Sequence, residues 1–139
     1  MYPVGHMLMA QDQAYRPDEK YYDHIRQYFV DDQDLVNLSE YRNFIIEAAH
    51  VLDADNRSVK ELKPKTVAQM RYIVDHFENP VVIEQLLHYL ASSYISTFGI
   101  DGIEEMESIY RTYVKSEELL ADYSVKYDKW NISKPGKPS

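Results

Sequence analysis

Cysteine is absent from the 139 residues, which excludes disulfides, thiolate metal centres and cysteine nucleophiles. Glycine and proline are scarce, at 4 and 6 residues, fewer than the many turns of a β-sandwich or barrel require. No apolar run approaches the roughly 20 residues that span a bilayer, so the sequence reads as a soluble chain without membrane insertion. With no cysteine to oxidise, a cytoplasmic location is the expectation. Neither a glycine-rich phosphate loop nor a Gly-x-Ser-x-Gly elbow occurs, and no motif asks for a cofactor. Residues 1–16 lack the basic start and small-residue cleavage site of a signal peptide. They form an N-terminal segment with an apolar patch at Val4, Met7, Leu8 and Met9, in which Gly5-His6-Met7 has the look of a cloning remnant.

What is present is apolar and acidic. Hydrophobic residues make up 45% of the chain, enough for a core that needs no covalent staples. Tyrosine is abundant at 13 residues, a side chain suited to cores, boundaries and interfaces alike. The net charge is −8, which disfavours nucleic acid as a partner. The charge is uneven: residues 1–55 carry a net −7 and 80–125 a net −6, whereas 56–79 carry +2 and 126–139 carry +3.

Apolar residues recur at steps of three and four, the helical period. Pro17-Asp18-Glu19 opens a first helix with Tyr21 or Tyr22, Ile25, Tyr28 and Phe29 on its apolar face. Asn37-Leu38-Ser39-Glu40 begins a second, striped by Leu38, Tyr41, Ile45, Ala48 and Leu52, which stops at Asp53-Ala54-Asp55-Asn56. Thr66 opens a third, after a short turn at Ser58–Glu61. Asn79-Pro80 closes the third and caps a fourth, over about residues 80–98, whose wide apolar stripe and nearly uncharged opposite face mark it as central. Gly99 ends it. Asp101-Gly102-Ile103-Glu104 opens a last helix whose seam of Met106, Ile109, Tyr113, Leu120, Tyr123, Tyr127 and Trp130 is broken only by Ser116. The four capping-box tetrapeptides start at Asn37, Ser58, Thr66 and Asp101. The expectation is a single all-α bundle of about five helices over residues 17–130, with a long C-terminal helix and a flexible, disordered tail at 131–139.

Few residues point to chemistry. Glu47 and His50 have the Glu-x-x-His spacing of di-metal bundles, which need two such motifs. They lie opposite the apolar stripe of their helix, so a solvated polar face and no metal site are expected. Glu84 and His88 stand one turn apart and can share a hydrogen bond. Asp53-Ala54-Asp55 begins like a calcium loop, but Arg57, Ser58 and Pro64 occupy positions that need an oxygen ligand, glycine and glutamate.

Arg71-Tyr72-Ile73-Val74-Asp75-His76 resembles the Arg-x4-His motif of HEPN ribonucleases over these six residues. The resemblance implies a small helical dimer that cleaves RNA with Arg71 and His76. The lysines at 60, 63 and 65 and Arg57 form a basic island beside it that could meet an RNA backbone. A third reading makes the acidic chain a nucleic-acid mimic.

The reading the residues favour is a non-enzymatic interaction protein: a small regulator, an immunity-type protein or an accessory subunit. A helix from Gly102 to Trp130 would be about 43 Å long and would outrun the bundle. Tyr123, Tyr127 and Trp130 are therefore expected to contact another protein or a second copy of the chain.

Overall fold

The structure, a computed structural model, describes residues 19–133. Six α-helices and no strand lie within them: α1 (Glu19–Tyr28), α2 (Ser39–Val51), α3 (Leu62–His76), α4 (Pro80–Phe98), α5 (Glu104–Tyr113) and α6 (Glu117–Ser133). The all-helical expectation holds. The N-terminal segment 1–16, the helix start at Pro17-Asp18 and the tail from 134 onward lie outside the described residues. Residues 131–133, expected in the tail, belong to α6.

Helix α4 is central, as its missing charged face implies: it packs against α3, α5 and α6. Its Val82, Leu86, Leu87, Ala91 and Ile95 retain no exposed surface, and each leucine buried this way contributes about 1.5–3 kcal/mol. They join Ile45 of α2, Met70 and Ile73 of α3, Met106 and Tyr110 of α5 and Tyr123 of α6 in one core. Helix α1 is held to α2 by a smaller cluster of Tyr22, Ala48 and Leu52. Tyr28, expected on the inner face of α1, instead lies in solvent, and so does Leu38, which precedes α2 rather than belonging to it.

Asn79-Pro80 behaves as the sequence reads. The Asn79 Oδ1 accepts from the backbone N–H of Val81 at 2.9 Å and Val82 at 3.3 Å, with Pro80 at the first helical position. The turn is tied down from the α1–α2 connection, where one Asp31 oxygen accepts from the N–H groups of Glu78 and Asn79 at 2.9 and 2.7 Å. Burial opposes ionisation of Asp31, but these bonds, with one from its own backbone N–H, outweigh it and hold the carboxyl below its usual range. Asn79→Ala is expected to cost about 1 kcal/mol, read as a lower denaturant midpoint at unchanged slope. An unchanged midpoint would mean that the cap is dispensable.

The other expected caps are corrected. Helices α2, α3 and α5 start after Leu38, Glu61 and Ile103, none with a side-chain cap hydrogen bond. Helix α3 begins a turn before Thr66 and carries Pro64 as its third residue. There a missing N–H costs nothing, because the first N–H groups of a helix have no internal partner. Gly102 has φ +70, so Asp101-Gly102 makes a turn rather than a cap.

The single C-terminal helix from Gly102 to Trp130 is likewise two helices. The chain leaves α5 at Val114, whose backbone is extended. Ser116, the interruption in the apolar seam, is the cap of α6: its Oγ accepts from the Leu119 N–H at 3.3 Å. The carboxylate of Glu84, on α4, accepts the N–H groups of Lys115 and Ser116 at 2.7 and 2.8 Å. The N–H groups of Lys115, Ser116 and Leu119, orphaned by the break, thus find acceptors. Glu117 and Glu118 suit the first turn of the new helix. The fold-back returns α6 to the core instead of letting it project.

Candidate functional site

Only three residues connect α3 to α4, so the two run antiparallel and the start of α3 lies beside the end of α4. Helix α2 packs on α3 from the other side. Between α2 and α4 this leaves a groove of about 500 Å³ whose floor is α3. Gln69 is buried in that floor and donates from Nε2 to the Ile46 carbonyl at 2.9 Å, cross-linking α3 to α2. At one end Tyr89 is tied to α2: its ring lies under the Arg42 guanidinium at 4.8 Å and its hydroxyl reaches Asn43 Oδ1 at 3.5 Å. At the other end stand Leu62 and Phe98, 44% and 57% exposed. The Phe98 ring packs on Tyr94 with centroids 5.1 Å apart. Glu47 and Lys65 are the charged residues of the lining.

Gly99 extends this apolar rim. Its φ of +93 favours glycine, and a Cβ there would meet the Trp130 ring at 3.3 Å. Trp130 therefore packs over the backbone next to Phe98 while remaining 37% exposed.

The three aromatics expected to form one contact surface are thus separated. Tyr123 is wholly buried, with its ring stacked on Tyr110 at 4.3 Å. Tyr127 is half-buried against the core, and Trp130 alone stays at the surface. The reason is the break at Ser116, which turns the inner face of α6 toward α4 and α5.

Arg71 and His76 line a second cleft, of about 640 Å³, between the α2–α3 connection, α3 and α5. Arg71 pairs with Glu105 at 2.6 Å. His76 stacks on Tyr72, with its Nδ1 2.9 Å from the Tyr72 carbonyl. Asp53, Asp55 and Asp75 also line this cleft, so carboxylates outnumber cations where a phosphate would have to sit. Two cations of the adjacent basic island are engaged within the fold. Arg57 donates to the Val51 carbonyl and covers the Tyr22 ring, and Lys63 donates to the Asp101 carbonyl.

Glu47 is exposed at the groove, and His50 is half-buried with an unpartnered Nδ1. Among the described residues no three His, Asp or Glu side chains are placed to hold a metal ion, and no helix is long and apolar enough to cross a membrane.

The expected bond between Glu84 and His88 does not form. Glu84 caps the α5–α6 break, and His88 joins three helices. Its Nε2 lies 2.9 Å from Asp122 Oδ2 on α6, and its Nδ1 lies 2.8 Å from the Tyr110 hydroxyl on α5. This cluster had no signature in the sequence, because its members are 22 and 34 residues apart. Burial lowers the His88 pKa against the opposing pull of Asp122. The Lys126 hydrogen bond lowers that of Asp122, with His88 assisting against burial.

Compared with models of protein families, with curated proteins and with solved structures, the chain matches none.

Proposed function

We propose that this protein is a non-enzymatic interaction module, a small regulator or accessory subunit, whose α2–α3–α4 groove receives an apolar-faced helix of a protein partner. The observation that carries the reading is the groove itself: a concave strip along which Leu62 and Phe98 are large apolar side chains left at the surface, beside a half-buried Tyr94. Exposed apolar side chains gathered in a concavity and rimmed by polar residues mark interaction sites. A helical occupant is favoured because the walls are helices and offer no strand edge for an extended peptide to pair with. Basic residues flanking the partner's apolar face would answer Glu47 and the net charge of −8. The absence of cysteine accords with a cytoplasmic setting.

Affinity capture from the native host with wild-type protein, Phe98→Asp and His76→Ala tests this reading. Phe98 is exposed, so an aspartate there should leave the fold intact. A partner retained by wild type and His76→Ala but lost with Phe98→Asp is the expected result, since an aromatic anchor contributes about 2 kcal/mol or more. Capture indifferent to Phe98 would refute the reading.

One observation favours a second reading, a ribonuclease of HEPN type: Arg71 and His76 line the same cleft. The carboxylates around them weigh against it. Wild type and His76→Ala are expected to be indistinguishable in an RNA-cleavage assay, and cleavage lost with His76 would reinstate the nuclease.

A further inference from the structure

The contacts that hold α6 on the bundle include a titratable cluster with two ways of placing its protons. With neutral His88, Nε2–H donates to Asp122 and Nδ1 accepts from the Tyr110 hydroxyl. The same hydroxyl lies 3.3 Å from the Leu119 carbonyl in the first turn of α6. A proton added at Nδ1 reverses the Tyr110 bond: the imidazolium donates to the phenol oxygen, and the phenol hydrogen turns to Leu119.

The geometry makes this second state costly. The His88 side chain is only 14% exposed, so its new charge sits away from water. Asp122 could compensate, but the oxygen that meets His88 also accepts from the Lys126 ammonium. Two cations then share one carboxylate oxygen and repel each other. The other charged neighbours do not relieve this. Glu84, one turn before His88, is engaged at Lys115 and Ser116, and Arg111 lies over the Tyr123 ring at 5.5 Å.

We propose that the His88–Tyr110–Asp122 cluster, with Lys126, is a proton-sensitive clasp that holds α6 on α4 and α5 at neutral pH and loosens it on acidification. The sign agrees with linkage. A histidine whose folded-state pKa lies below its ordinary 6.5 contributes stability that is present above 6.5 and lost as pH falls through the lowered value. Loosening α6 also lifts Trp130 off Gly99, at the rim of the groove. The clasp does not depend on what that groove binds.

Trp130 is the chain's single tryptophan, so it reports α6 directly. The test is its emission maximum and acrylamide quenching in the full chain from about pH 8 to pH 5, the window in which histidine titrates. Circular dichroism follows the remaining helices in parallel. Wild type should show a red shift and increased quenching in the lower part of this range, with most helix retained. His88→Gln should abolish the transition, and His76→Gln should keep it. Lys126→Gln removes the competing cation and should move the midpoint to lower pH. It is a surface change and stands as the test if His88→Gln fails to fold. A Trp130 signal flat from pH 8 to 5, a transition that survives in folded His88→Gln, or a midpoint unmoved by Lys126→Gln would overturn the clasp.

Discussion

Tyr123→Ala is expected to destabilise the protein by about 3–5 kcal/mol, the range for removing a large buried aromatic. Tyr123 has no exposed surface, stacks on Tyr110 at 4.3 Å and lies beside Tyr127 at 6.2 Å. Removing the ring takes away the main apolar anchor of α6. Its hydroxyl is buried without a hydrogen-bond partner, and burial raises its pKa, so the phenol stays neutral. Tyr123→Phe should therefore be neutral or mildly stabilising, because it removes a desolvated polar group that makes no bond. Denaturant unfolding of both variants checks the pair. A Tyr123→Ala protein as stable as wild type but deficient in association would restore the contact-surface role that the sequence suggests.

Leu87→Ala should cost about 2–5 kcal/mol, and Leu90→Ala a comparable amount. Both leucines are in the core cluster, Leu87 with no exposed surface and Leu90 with 8%. Helix α4 touches three other helices, so a cavity at Leu87 cannot close by shifting one neighbour. The midpoint of urea unfolding reads this cost. An unchanged midpoint for Leu87→Ala would show that α4 is not the centre of the fold.

What the sequence discloses about this fold follows from how many independent constraints a short segment carries. Asn79-Pro80 combines an acceptor side chain with a ring that fixes φ and lacks an N–H, and it caps α4 where expected. The Ser/Thr/Asn/Asp-x-x-Glu/Gln pattern is met by many tetrapeptides and does not specify which residue takes the extended backbone. Hence Thr66, a presumed cap, is a buried residue inside α3. The width of the α4 stripe disclosed its central place, but not that Tyr94 and Phe98, at its end, border an open groove. The break at Ser116 left a trace, a polar residue followed by two glutamates in an apolar seam. The 3,4 spacing ran on through it, and the carboxylate that secures it comes from Glu84, about thirty residues earlier. The site residues followed the same rule. Arg71 and His76 share a cleft because they share a helix. Tyr123 and Trp130 part company along one helix, Tyr123 turned into the core by the fold-back and Trp130 near the helix end beside Gly99, and His88 meets Asp122 only through tertiary packing.

Whether the α2–α3–α4 groove is the docking surface can be read from backbone amide shifts of the labelled protein as a captured partner, or its binding helix, is added. Perturbations should concentrate at Ile46, Leu62, Tyr89, Tyr94 and Phe98, with Asp53, Asp75 and His76 unmoved. Perturbations centred on Asp53, Asp75 and His76, with the groove silent, would contradict it.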